Sequence, residues 1–245
     1  MRAKKRANRQ IRPISIITSY LEQAHGSALI EIGSTKVLCA ATMEDKVPLF
    51  LKGTKQGWVT AEYAMLPCSA GSRIQRERQN VNARNLEIQR LIGRSLRAIT
   101  DLTALGEKTV TIDCDVIQAD GGTRTAAITG SFVALAQALI TLYREDKLVK
   151  FPLHNYLSAV SVGLVNGEVL LDLDFSEDSR AEVDLNIVMS PDGKLIEIQG
   201  TAEKHPFGRD DLEQMLDLAA EGIKVITAYQ RTIIGDEIAK LIPSS

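Results

Sequence analysis

The sequence predicts an α+β protein in which a set of hairpins followed by helices occurs twice. Three observations carry this expectation. Alternating apolar and polar residues around turn signals give the hairpins, longer stretches with helical periodicity follow each set, and Pro152 marks a joint between them. The chain is read as a single domain, 1–245, divisible into an N-terminal half, 1–152, and a C-terminal half, 153–245. The pseudo-twofold rests on element order, not on sequence similarity between the halves.

In the first half, SALIEIG and KVLCAATM flank Gly33-Ser34-Thr35 as a hairpin. A polar loop from Lys52 to Gln56 precedes a strand near Trp58 to Tyr63. From Leu86 the pattern turns helical: Ile88, Leu91, Ile92, Leu96 and Ile99 form one stripe, and Arg90, Arg94 and Arg97 fall on another. VTIDCDVI is a strand, and TAAITGSFVALAQALITLY is a helix apolar almost all round, hence buried. The second half opens with AVSVGLVNGEVLLDLDF, turning at Asn166-Gly167, and DLNIVMSPDGKLIEIQG turns at Asp192-Gly193. A long helix from about Asp210 closes the chain, with Leu212, Met215, Leu216, Ala219, Ile223 and Ile226 on one face.

Composition excludes several classes. With 245 residues, 44% hydrophobic and 24% charged, the chain can bury a sizeable core. Cys39, Cys68 and Cys114 are far apart in sequence and show no CxxC spacing, which argues against a disulfide framework or zinc site and for a reducing, cytoplasmic setting. The basic start MRAKKRANRQIR lacks an apolar segment behind it, and no apolar run approaches the roughly 18 residues a membrane span needs. No membrane association is expected.

A net charge of −2 hides an uneven distribution. Residues 1–12 hold six bases and no acid; Arg73 to Arg97 hold seven arginines against Glu77 and Glu87; Glu168 to Asp184 hold seven acids against Arg180 alone. A polyanion is expected to lie along the basic parts while the acidic cluster serves another purpose.

The stretch QADGGTRTAAITG, residues 118–130, places Gly-Gly between a strand and a helix. There backbone N–H groups approach a ligand closely and the helix N-terminus adds partial positive charge, which makes an anion site. Thr123 or Thr125 can cap the helix or donate to a phosphate oxygen, and Arg124 offers a charge-assisted fork. Taken alone, such a stretch more commonly is a flexible turn with an N-cap threonine and a surface arginine. It matches neither the nucleotide-binding GxxxxGK loop nor GxGxxG. In EDSRAEVDLN, Asp178 and Asp184 fall near the end and start of adjacent strands, where two carboxylates can share Mg2+. Asn186 points to the same strand face as Asp184 and can join them; the alternative is a solvated acidic loop.

WVTAEYAMLP, the block from EIQRLIGRSLRAIT through QADGGTRTAAITGSFVALAQAL, LLDLDFSEDSRAEVDLNIVM and EIQGTAE resemble signature blocks of the bacterial ribonuclease PH family, over about Gln10 to Tyr229. The resemblance implies a fold of two βαβα-like halves (ribosomal protein S5 domain 2-like) with mixed sheets and packed helices. It implies a phosphorolytic 3′-to-5′ exoribonuclease that trims the 3′ ends of tRNA precursors with inorganic phosphate and releases nucleoside diphosphates. It also implies a homo-hexamer built as a trimer of dimers and a divalent metal, Mg2+ or Mn2+. It places phosphate on Arg84, Gly122, Thr123 and Arg124, and puts Arg73 and Arg76 on the approach taken by RNA. Asp178 and Asp184 then hold the metal, with Asn186 as a weaker candidate. Phosphate is already a nucleophile, so His25, His154 and His205 are read as structural or surface residues. Arg90, Arg94 and Arg97 are assigned a structural or subunit-interface role, and Arg78 a solvated loop.

The chain departs from the family pattern where Cys68 replaces an arginine, where the usual GGRT reads Ala83-Arg84-Asn85, and where KKRANRQIRP lacks a glycine before Arg6. The competing readings are a hydrolytic metal nuclease, a noncatalytic RNA-binding subunit of the same fold, and, least favoured, a small-molecule kinase.

Overall fold

The computed structural model describes residue 2, residues 6–76 and residues 82–242. Strands β1 (Ile14–Thr18), β2 (Gly26–Ile32), β3 (Thr35–Glu44), β4 (Trp58–Met65) and β5 (Thr109–Gln118) form a five-stranded sheet in the order β1-β2-β3-β5-β4. The β2–β3 hairpin forms as expected but turns on Gly33 and Ser34 alone, with Gly33 at φ 59°; Thr35, expected in the turn, opens β3 opposite Ile32. Strand β4 runs parallel to β5, so the chain must cross over between them, and it does so through α1 (Ala83–Ala98) and the short α2 (Leu102–Leu105). Helix α1 begins three residues before Leu86 because the Asn82 side chain caps it, accepting from the Arg84 amide. The predicted stripe of Ile88, Leu91, Ile92 and Leu96 is fully buried.

Helix α3 (Thr123–Arg144) lies between two layers, packing on β2 and β3 and also on β6 (Ser158–Val165) and α5 (Arg209–Leu241). Its apolar side chains therefore face protein almost all round. Phe132 is fully buried, and Phe132→Ala there would cost about 3–5 kcal/mol. The expectation that no segment is long and apolar enough to span a membrane is corrected here: α3 passes that test by length and composition, because small Thr, Ser and Gly residues interrupt the apolar run without making it polar. Most of it, 89% of its most apolar window, is buried inside the molecule.

The second sheet is antiparallel throughout, in the order β7-β6-β8-β9, with β7 (Glu168–Leu171), β8 (Val183–Met189) and β9 (Leu195–Ala202). The β6–β7 turn uses Asn166 and Gly167, both at positive φ, as a type I′ hairpin requires. Between β7 and β8 sits a single turn, α4 (Phe175–Asp178), closed by reciprocal bonds between Asp174 and Glu177. This corrects the placement of Asp178 at a strand end. Helix α5 covers the second sheet with Met215, Ala219, Ile223 and Ile226, and breaks at Gly235, where φ 83° and ψ 159° are not helical. One core joins α3, the first sheet and the end of α5; a second lies under the first part of α5.

Two expectations about charge and cysteine change in three dimensions. Three of the four described N-terminal bases are not laid out for a polyanion. Arg2 pairs with Glu177 at 2.8 Å, Arg6 with Asp172 and Glu177 at 3.0 and 2.8 Å, and Arg12 with Asp172 at 2.7 Å, all nearly buried. The basic start and part of the acidic cluster neutralise each other across some 165 residues of chain, a pairing that local sequence cannot display; Lys4 and Lys5 lie outside the described residues. Cys39 and Cys114, distant in sequence, are register partners on β3 and β5, both buried and free.

Candidate active site

The loop between β5 and α3 is built by its neighbours. Gly121 and Gly122 take φ 73° and 65°, and a Cβ on Gly121 would lie 2.7–2.8 Å from backbone atoms of Leu173, Asp174 and Phe175. Only glycine lets this loop press against the start of α4. Thr35 accepts from the Asp120 amide at 2.9 Å and donates to the Gly121 carbonyl at 2.7 Å. Arg12 also donates to the Asp120 carbonyl, while holding Asp172 through its other nitrogens. Burial works against the Arg12 charge, but the hydrogen bond and charge of Asp172 outweigh it and raise the guanidinium above its ordinary pKa.

Gly122 is itself the N-cap of α3, with no side-chain cap among the described residues. The sequence offers Thr123 or Thr125 as a cap, and neither serves as one. The Thr123 hydroxyl accepts from Tyr63 at 2.9 Å, and Thr125 donates back to the Gly122 carbonyl at 2.9 Å. A long helix thus starts with its first amides left to a ligand, beside Arg124. Arg124 is held by Gln199 of β9 at 2.8 Å, with Glu87 of α1 at 3.6 Å.

The carboxylates face this positive side. Asp178, Asp184 and Asn186 line the same cleft as Arg84, Gly122 and Arg124, a space of about 680 Å³. Burial raises the Asp178 pKa, opposed by the charges of Arg124 and Arg84. Burial, then the like charge of Asp178, pushes Asp184 up to about 6, while Arg124 and the Asn186 amide, which donates to Asp184 at 3.3 Å, pull it down. The Oδ1 of Asp184 is buried with no hydrogen-bond partner among the described residues. No group of three or more His, Cys, Asp or Glu side chains placed to hold a metal occurs among the described residues, so any ion here rests on two carboxylates and the Asn186 amide.

Of the arginines expected on the RNA approach, Arg73 and Arg76 are exposed beside the cleft; their neighbours Ser72 and Ile74 line it, but they do not. Arg78 lies outside the described residues. Arg97 stacks over Trp58 at 4.1 Å and donates to the Val59 carbonyl, and Arg94 pairs with Glu197, so both hold α1 in place. His25, His154 and His205 are exposed and do not line this cleft. Sequence reasoning missed Thr35, Tyr63 and Phe175, which shape or line the site. Nothing local flags them: Thr35 reads as a turn residue and Tyr63 as an ordinary strand residue, and both reach the loop only through the fold.

Two family models match the chain: the 3′ exoribonuclease family, domain 1, over residues 10–141, and the same family, domain 2, over residues 155–222. A relative from Moorella thermoacetica, ribonuclease PH, is 56% identical over 238 residues, covering 96% of this chain and 95% of that protein. Among solved structures, the Archaeoglobus fulgidus exosome with RNA bound to the active site superposes with a TM-score of 0.81 at 20% identity, covering 94% of this chain and 92% of that one. Rice (Oryza sativa) Rrp46 gives 0.78 at 21% identity, covering 96% and 100%. At that identity the two structures bear on the fold alone.

Proposed function

The chain belongs to the 3′ exoribonuclease family, and from that premise we propose that the cleft carries out phosphorolysis of RNA. The protein is a phosphorolytic 3′-to-5′ exoribonuclease of tRNA precursors, a nucleotidyltransferase that uses inorganic phosphate and runs in both directions. One observation carries the site assignment: an uncapped helix start with Arg84 and Arg124 shares one cleft with Asp178 and Asp184.

Phosphate sits against the Gly122 and Thr123 backbone, between Arg84 and Arg124, which offset its charge and aim one oxygen at the last phosphodiester. That oxygen forms a bond to phosphorus as the bond from phosphorus to the 3′ oxygen of the preceding nucleotide breaks. The leaving oxygen takes a proton, and the last nucleotide departs as its 5′-diphosphate. No serine, cysteine or histidine nucleophile is needed. Hard oxygen donors, the unpartnered Asp184 oxygen and two mutually repelling carboxylates suit Mg2+ or Mn2+, which Asp178 and Asp184, with Asn186 beside them, would hold. When bound, such an ion supplies positive charge to the reacting phosphate. Exposed Arg73 and Arg76 receive the RNA backbone, adding affinity without sequence choice. We place the protein in the cytoplasm, as a homo-hexamer of three dimers, with residues 1–152 and 153–245 as two halves of one domain.

The test is incubation with a 3′-extended tRNA and Mg2+, with and without phosphate, separating nucleoside mono- and diphosphates. Diphosphates formed only with phosphate are expected. Monophosphates formed in both conditions would make the protein a hydrolase.

A further inference from the structure

The charged groups of the cleft account for phosphate but not for the nucleoside attached to it. At about 680 Å³ the cleft has the size of a small-molecule site, larger than an inorganic anion fills. One of its lining residues is out of character. Phe175 is 65% exposed, though phenylalanine is a residue that folding normally hides.

The other phenylalanines are accounted for. Phe132 and Phe151 are buried, Phe207 is half-buried against the second core, and Phe50, though exposed, packs edge-on to Trp58 at 5.4 Å. Phe175 makes no ring contact with a described residue. Its backbone is nonetheless fixed, because α4 is closed by the Asp174–Glu177 capping box and its first residue abuts Gly121 of the phosphate loop. Three residues on, in the same turn, comes Asp178, so ring and carboxylate share one side of α4. Met65 and Ile74 give the cleft further apolar surface.

We propose that the Phe175 ring is the platform on which the base of the 3′-terminal nucleotide stacks, setting the last phosphodiester between the arginines and the carboxylates. Every base offers a π face, so the contact holds any 3′ end without reading it. The proposal rests on RNA being the substrate, as argued above.

The test separates the two claims. Binding of an RNA labelled at its 5′ end is measured in EDTA without phosphate, so that affinity is read without turnover. One RNA ends in adenosine and the other in an abasic ribose. For the parent protein, removing the terminal base is expected to weaken binding about tenfold. Phe175→Ala should bind the adenosine-ended RNA about tenfold more weakly and no longer distinguish the two, and Phe175→Tyr should restore the difference. An abasic penalty that persists in Phe175→Ala, or equal binding of both RNAs by the parent, overturns the stacking role. Diphosphate release from the parent with phosphate and Mg2+, measured in parallel, tests the phosphorolytic reading separately.

Discussion

The N-terminal bases and the arginines of residues 73–76 look alike in the sequence, and the fold treats them oppositely. Arg2, Arg6 and Arg12 are spent inside the protein on Asp172 and Glu177, and Arg12 goes on to hold the glycine loop before α3. Arg73 and Arg76 stay exposed beside the cleft. A run of positive charge is thus not yet a surface for nucleic acid. What decides is whether an acid elsewhere in the chain has already claimed it, and that is settled by tertiary pairing.

The largest expected effect comes from breaking the buried side. Asp172→Asn keeps the shape and tolerates the positive φ of this position, but leaves Arg12 without a carboxylate and Arg6 with Glu177 alone. It should cost about 3 kcal/mol in chemical denaturation, with little change on adding salt. A loss below about 1 kcal/mol would mean that the buried network is no more than a surface ion pair.

A smaller effect concerns the unpaired carboxylate. The Asp184 pKa is raised by folding, from 3.8 to about 6, so the unfolded chain ionises first and the charge opposes folding above that range. In EDTA, Asp184→Asn should therefore be more stable than the parent by about 2 kcal/mol at pH 8, with the advantage shrinking as pH falls through about 6 and gone below about pH 3. The same variant should lose turnover. Equal stability across the whole range would remove the account of Asp184 as a strained, metal-ready carboxylate.

The smallest effect belongs to the exposed side. Arg73→Ala and Arg76→Ala should each leave stability within about 0.5 kcal/mol of the parent. Each should also flatten the plot of log affinity for RNA against log salt by about 0.7. An unchanged slope would place the RNA path elsewhere.

These contrasts show what could be read in advance. Hairpins at Gly33-Ser34, Asn166-Gly167 and Asp192-Gly193, and the buried stripes of α1 and α3, are local signals, and the structure contains them. The glycine pair before α3 was visible for the same reason. Asp178 was misplaced because α4 depends on a capping box inside an acidic run that looked like plain charge. Thr35, Tyr63 and Phe175 were invisible because their importance lies in partners 86, 60 and several dozen residues away.

Helix α3 has a consequence for how the protein is made. As the chain leaves the ribosome, β2 and β3 are already available to cover one side of this helix. Its remaining cover, β6 and α5, does not yet exist, and completing it takes on the order of ten seconds of further synthesis. For that interval the most apolar helix in the molecule is open along one side. The nascent chain at that length is the form most exposed to aggregation and the one with most to gain from a chaperone.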